Sequence, residues 1–262
     1  MKKTLLKVDR VAVQKQNEPY YLGDIKTLDT QLIDTSDCWH NGDPSRSDSY
    51  ILKNEANPMQ SIEISEKQIF FVTSNSAHHM SHYLASCAFK NVEATASKLV
   101  LNFDQHEDHG SETDTKKMLC SNWGGYTKGY NSHYAVVGRP MNGKPMFYLY
   151  GDTKEKFDSF NELKVSFNRY SHIYVTIDMD ILTNNSRESK RTNWNEGCAS
   201  KKDLIEWINS LPPKIISADI TGFPPQARSA SASTNEEDLN AYIADIHDVA
   251  KALEAIMLPT TI

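Results

Sequence analysis

Six short apolar runs are spaced along the chain after residue 60: QIFFVTS (68–74), KLVLNFD (98–104), HYAVVG (133–138), PMFYLYG (145–151), HIYVTIDMD (172–180) and KIISADITG (214–222). Most are continuous rather than alternating, which is how strands covered on both faces of a parallel sheet read. Between them the apolar spacing lengthens to the helical period. HMSHYLASCAFKNV (79–92) reads as a helix. KKDLIEWINSL (201–211) does too, with Ser200 as its N-cap and Asp203 in its first turn. NEEDLNAYIADIHDVAKALEAIM (235–257) puts Leu239, Ile243, Ile246, Ala250 and Leu253 on one stripe. Strands alternating with helices predict an α/β domain with a mostly parallel central sheet. Residues 1–60 read as an irregular, polar N-terminal extension packed on that domain, with turn-rich stretches such as HNGDPSRSDS. SASAST (229–234) reads as a loop and not as a linker, and no repeat is visible, so a single domain over 1–262 is expected.

Composition narrows the function classes. A chain of 262 residues, 39% apolar and 24% charged, can bury a sizeable core. With 28 basic and 34 acidic residues the net charge is −6, which argues against a sequence-blind nucleic-acid binder. No apolar run approaches the ~20 residues of a membrane span. The basic start, MKKTLLKVDRVAVQKQ, is broken by Lys7, Asp9 and Arg10 and does not read as a secretory signal. Cys38, Cys87, Cys120 and Cys198 are scattered with no CxxC pair, so reduced thiols in a cytoplasm are expected.

The chemistry gathers where the predicted strands end. FFVTSNS runs into Ala77-His78-His79-Met80, VLNF into Asp104-Gln105-His106-Glu107-Asp108, and YVTI into Asp178-Met179-Asp180. Ligands of an open parallel sheet bind beyond the carboxyl ends of its strands. Alternate residues of an extended stretch point the same way, so Asp104, His106 and Asp108 converge, as do Asp178 and Asp180. Four carboxylates and one or two imidazoles in one place would repel strongly if empty. A pair of divalent cations removes that repulsion, and this donor set suits Mn²⁺ before Zn²⁺ or Cu. Each cluster alone could be a solvated turn; three at the ends of three strands are far more specific.

These residues resemble the metal motifs of the arginase (ureohydrolase) family: a His opening a helix after one strand, D-A-H-x-D after the next, and S-x-D-x-D-x-x-D-P later. Here the second reads Asp104-Gln105-His106-Glu107-Asp108 and the third Thr176-Ile177-Asp178-Met179-Asp180. The resemblance covers the order of elements from about residue 65 to 225, and close identity is confined to the motifs. It implies a three-layer α/β/α fold and a site for two Mn²⁺ ions. By motif position Asp104 and Asp178 would bridge, His79 and Asp108 would complete one ion's shell, and His106 and Asp180 the other's. His78 is the alternate to His79, and His82 is expected on the helix surface or behind the ligands.

The departures from the family pattern matter as much. The x-x-D-P tail is replaced by Ile181-Leu182-Thr183-Asn184. Where the family carries a substrate-facing Glu in D-x-x-E, Asp219-Ile220-Thr221-Gly222 ends in glycine. A guanidinium needs an oxygen fork to hold it, and Glu107, Glu112, Asp114 and Glu196 are the candidates. The family's proton-shuttling His has no counterpart in Ser121-Asn122-Trp123-Gly124-Gly125; His109 and His133 are the candidates to replace it, and a structural role explains either equally well. Trp123 is a candidate substrate contact, although a tight turn before the next strand explains the same stretch. Trp194-Asn195-Glu196-Gly197, Trp39, Tyr20-Tyr21 and Phe223-Pro224-Pro225 are candidates for the mouth of the site.

The paired His78-His79, the F-D-x-H-x-D form and the short chain are similar to a divergent branch that includes peptide arginases. These maturases convert arginine side chains of ribosomal precursor peptides to ornithine, releasing urea. The expected activity is therefore hydrolysis of an amidine C–N bond in an arginine-containing peptide, with Asp108 or His109 moving the proton to the leaving amine. Rival expectations are a metabolic ureohydrolase acting on agmatine, guanidinobutyrate or formiminoglutamate, a single-zinc deacetylase of similar fold, and a metal-bound binding protein without catalysis. An oligomeric state is not legible.

Overall fold

The computed structural model describes residues 1–7, 30–34, 39–41, 50–52, 62, 64, 67–72, 78–110, 122–141, 144–183, 197–222 and 236–258. Its strands are β1 Lys2–Lys7, β2 Thr30–Asp34, β3 Trp39–Asn41, β4 Tyr50–Leu52, β5 Gln68–Val72, β6 Lys98–Phe103, β7 Ser132–Met141, β8 Lys144–Tyr150, β9 Lys154–Phe157, β10 His172–Asp178 and β11 Ile215–Thr221. Among the described residues, nine strands form one sheet in the order β2-β1-β5-β11-β10-β6-β7-β8-β9, and β3 pairs separately with β4. Neighbours from β2 through β7 are parallel. The β7–β8 and β8–β9 pairs are antiparallel. The α-helices are α1 Met80–Phe89, α2 Phe160–Ser166, α3 Lys201–Asn209 and α4 Glu236–Met257.

Alternate residues of each central strand feed two different cores. From β6, Leu99, Leu101 and Phe103 join Leu163 of α2, Leu204 and Ile208 of α3, and Ile246 and Leu253 of α4. Val100 turns the other way and meets Met80 and Leu84 of α1 beside Phe70, Val72 and Tyr174. With α1 on one face and α2–α4 on the other, the fold is a three-layer α/β/α sandwich around a mostly parallel sheet. Burial on both faces is why the strands read as unbroken apolar runs: every residue of β5 and β6 is buried. Each large side chain moved out of water there contributes about 1.5–3 kcal/mol. α3 starts where the sequence signals it, in a capping box. The Ser200 side chain accepts from the Asp203 N–H, and the Asp203 carboxylate answers the Ser200 backbone.

Residues 1–60 are not uniformly irregular. β1 and β2 are parallel strands of the main sheet, and β1 lies directly against β5. β1 reads KKTLLK, and its three lysines hide it from an apolar search. One of them, Lys3, pairs with Glu254 of α4 at 2.5 Å. Residues 8–29, with Tyr20 and Tyr21, lie outside the described residues, as does SASAST (229–234). No helix among the described residues is long and apolar enough to cross a membrane.

Candidate metal centre

β5 and β6 follow one another in the chain, yet β11 and β10 lie between them in the sheet. That reversal of strand order opens a crevice at the carboxyl ends of the strands. Three chain segments meet there, the last of them bringing two carboxylates. His78 precedes α1, Asp104 follows Phe103 of β6, and Asp178 closes β10. Asp180 sits in the single 3₁₀ turn Met179–Ile181. Backbone amides fix the turns. The His106 N–H donates to Asp104 Oδ1 at 2.7 Å, and the Asp180 N–H to Asp178 Oδ1 at 3.1 Å.

Two overlapping groups result, His78–Asp104–Asp178 and Asp104–His106–Asp180, with the ligand atoms of each within 4.8 Å of one another. His78 Nδ1 stands 2.9 Å from Asp108 Oδ2, 3.1 Å from Asp104 Oδ2 and 3.5 Å from Asp178 Oδ2. One ring nitrogen carries at most one proton, and this one is aligned for a hydrogen bond with none of the three. His106 Nδ1 lies 3.0 Å from Asp180 Oδ2 and 3.3 Å from Asp104 Oδ1. Carboxylates converging on the His78 nitrogen without an aligned hydrogen bond, beside a second imidazole between Asp104 and Asp180, fit shared divalent cations.

The charges tell the same story. Burial raises Asp178, and the charges of Asp180 and Asp104 push it further, well above the usual carboxylate range. Burial and then Asp104 raise Asp108 to about 7. Asp180 rises for the same two reasons. Asp104 goes the other way. Burial works to raise it, but His106 and His78 outweigh burial and hold it well below the usual range. Burial works against a charged His106, yet Asp104 and Asp180 carry it up to about 11. His78 also ends well above its ordinary value, because Asp104 and Asp108 overcome burial. Such a cluster is held together by borrowed protons, and cations would replace them.

Behind the ligands lies a buried polar seam that sequence reading missed. His78 Nε2 meets Thr176 Oγ1 at 3.0 Å. Thr176 and Ser81 both donate to Asp219 Oδ1 at 2.8 Å, and Tyr174 donates to Asp219 Oδ2 at 2.6 Å. The Thr176 contact turns Nδ1 of His78 toward the carboxylates, a common way to orient a metal-binding imidazole. Asn102 plays a similar part for Asp104, donating to its Oδ2 at 3.2 Å while holding the Tyr134 hydroxyl at 2.7 Å. A signal existed. Asn102 and Thr176 each lie two residues before a carboxylate, on the same strand face, as polar breaks in apolar runs.

The other expected site residues divide clearly. His78, not His79, is the histidine brought to the carboxylates. His79 occupies the N-cap position of α1 and is buried there, with its side chain outside both groups. Trp123 was expected to touch substrate, but it is fully buried and its indole N–H donates to Asp108 Oδ2 at 2.9 Å. The Glu107 carboxylate is paired with Lys154 at 2.7 Å, which weakens it as a guanidinium acceptor. His109 stacks on Tyr150, ring centroids 3.9 Å apart, and on Tyr134. His133 pairs in register with Leu99 at the opposite end of β6 from Asp104 and contacts the Tyr170 hydroxyl, so it is no proton shuttle for this site. His82 is packed among Tyr83, Tyr126 and Tyr130, and burial lowers it to about 4. Glu112, Asp114, Trp194, Asn195, Glu196 and Phe223-Pro224-Pro225 lie outside the described residues.

Gly222 has a steric reason to be glycine. It follows β11 with φ +83°, and a Cβ there would collide with the Asp178 carboxylate and the Met179 N–H. The end of β11 approaches the centre too closely for any side chain.

No protein-family model matches the sequence, and comparison with curated proteins finds no match. Solved structures do match in fold. Arginase from Entamoeba histolytica, in complex with L-ornithine, has a TM-score of 0.58 at 13% identity over 97% of this chain and 98% of that one. Arginase from Bacillus caldovelox has a TM-score of 0.57 at 10% identity over 95% and 97%. Formimidoylglutamase from Bacillus subtilis has a TM-score of 0.53 at 12% identity over 98% and 89%. The chain has the fold of these ureohydrolases across nearly its whole length.

Proposed function

We propose that the protein is a binuclear metal-dependent hydrolase that cleaves the guanidinium of an arginine side chain in a peptide, leaving ornithine and releasing urea. One observation carries the hydrolase reading: two His/Asp groups share a buried Asp104 at the ends of adjacent strands β6 and β10. The neighbours include an arginase holding L-ornithine and a formimidoylglutamase, both names of amidine C–N chemistry on this fold. The peptidyl form of the substrate rests on the resemblance to peptide arginases.

His78, Asp104 and Asp178, with Asp108 beside them, would hold one cation, and Asp104, His106 and Asp180 the other. When bound, such a pair supplies Lewis-acid polarisation and makes water nucleophilic near neutral pH; Mn²⁺ is the expected metal. The rest is done by the chain. Asp104 remains a carboxylate under all ordinary conditions and ties the two positions together. Thr176 and Asp219 hold the His78 ring in one orientation. Asp108, beside the first position with its Oδ2 2.9 Å from His78 Nδ1, would take a proton from the attacking water and pass it to the departing amine nitrogen. Asp178 and Asp180 complete the negative surroundings that suit a cationic guanidinium.

The experiment incubates the Mn²⁺-loaded protein with an arginine-containing peptide and, separately, with free arginine and agmatine. Mass spectrometry and a urea assay read the products. The expected outcome is urea from the peptide with arginine-to-ornithine mass loss, abolished by Asp104→Ala. Turnover of free guanidines alone would move the function to a metabolic ureohydrolase. No urea from any guanidine would overturn the reading.

A further inference from the structure

Among the described residues Trp123 is the bulkiest fully buried side chain, and the chemistry above gives it nothing to do. It touches two members of the centre at once. Its Nε1–H donates to Asp108 Oδ2 at 2.9 Å, and its ring lies 5.0 Å from the His78 imidazole at 58°. Its far side meets Tyr134 edge-on, 5.4 Å away at 83°. Indole has a single polar atom, which can only donate. Here that atom is directed at a carboxylate in the cluster.

Asp108 needs holding. Its φ of +46° lies in the left-handed region, which a non-glycine residue adopts at a cost of about 1–3 kcal/mol unless its surroundings enforce it. The loop that carries Trp123 does the enforcing. The Gly124 N–H donates to the Asp108 carbonyl at 2.8 Å. A Cβ on Gly124 would lie 2.6 Å from Tyr134 Cζ and 2.9 Å from that carbonyl, so only glycine lets the loop come this close. The Tyr134 hydroxyl donates to the Glu107 carbonyl at 3.1 Å. Main chain and side chain of Asp108 are therefore gripped from one segment.

We infer that Trp123 is a positioning residue: through its hydrogen bond it holds the Asp108 carboxylate against the cation position outlined by His78, Asp104 and Asp178, and so sets the affinity of that position. The inference rests on the metal-centre reading. Outer partners of metal ligands typically contribute about 10–100-fold in affinity.

The test is calorimetric titration of the full chain with Mn²⁺, comparing the native protein with Trp123→Phe, which keeps an aromatic ring and loses the N–H. The expected result is one of two Mn²⁺ sites weakened by about 10–100-fold and the other unchanged. In an Asp108→Ala background the same substitution should change nothing further, because the coupling is gone. Unaltered Mn²⁺ binding in Trp123→Phe would overturn the inference. So would an equal loss in both backgrounds, which is what packing alone would give. If the phenylalanine variant does not fold, benzothienylalanine at position 123 replaces only the N–H and gives the same comparison. A native chain that takes up no Mn²⁺ would overturn the metal reading itself, a result distinct from the others.

Discussion

On one side of Asp104 the centre is sealed, and on the other it meets water. The His78 side chain is 3% exposed; that of His106 is 46% exposed. Around His78 every contact is fixed by protein: Thr176 behind the ring, Trp123 against its face, and Asp108 held in a left-handed conformation. His106 lies beside Asp104 and Asp180 with nearly half of its side chain exposed. The difference teaches how one cluster can serve two purposes. A preorganised, water-excluded position retains its ion, and an exposed one is where a substrate can arrive and ligands can exchange.

The comparison breaks most completely at the shared residue. Asp104→Ala should empty both positions and lower turnover by about a thousand-fold or more, the scale of the several kcal/mol a Lewis acid provides. Elemental analysis after dialysis, beside the urea assay, checks both halves of that statement. Retention of two ions would show that Asp104 does not link the positions.

Next come the two histidines. His106→Ala should keep one slowly exchanging cation, and His78→Ala should keep only a rapidly exchanging one. Exchange with radioactive or isotopically labelled Mn²⁺ separates the two cases. Identical exchange in both variants would erase the distinction between sealed and open.

A smaller effect lies in pH. His106 is carried up to about 11 in the cation-free chain, so it holds a proton throughout the neutral range, and a cation arriving there must displace it. Affinity at that position should therefore rise about tenfold per pH unit between about pH 6 and 9. At the His78 position Asp108, at about 7, adds a displaced proton of its own at the lower end of that range. Calorimetry in buffers of different ionisation enthalpy counts the protons. Binding without proton release would refute the electrostatic account.

The smallest effect concerns stability without cations. Asp178 has its carboxyl raised by burial, then by Asp180 and Asp104. A carboxyl raised on folding is penalised once the pH exceeds its unfolded value, and the penalty grows until the pH passes the folded one. Asp178→Asn removes that penalty and can keep the oxygen that accepts from the Asp180 N–H. The cation-free variant should melt about 2–4 °C higher at neutral pH, equivalent to about 1 kcal/mol for a chain of this size. It should also lose the melting-temperature rise that Mn²⁺ gives the native protein, as differential scanning calorimetry would show. A lower melting temperature would mean that the carboxylate is structural.

Much of this molecule was legible from one-dimensional pattern. Two-sided burial writes continuous apolar runs, so β5 to β8, β10 and β11 stood out, and the Ser200–Asp203 box announced α3. β1, β9 and α2 did not stand out, because KKTLLK and KEKF are rich in charge and FNELKVS is too short for a helical period to emerge. The convergence of Asp104, His106, Asp178 and Asp180 followed from alternation along strands whose ends must lie on one edge.

What sequence could not decide depends on distance between segments far apart in the chain. Choosing His78 over His79 required the direction from which α1 enters, because adjacent residues before a helix face different ways. Moving Trp123 from substrate contact to ligand support required knowing that its loop passes beneath Asp108, 15 positions earlier in sequence. Gly222 looked like a missing carboxylate until the end of β11 proved to lie against Asp178, where no side chain has room. The sequence by itself determined the layers and the donor atoms, because periodicity and residue chemistry are local properties. Only the tertiary structure decided which donors meet, because that depends on strand order and on how closely one backbone can approach another.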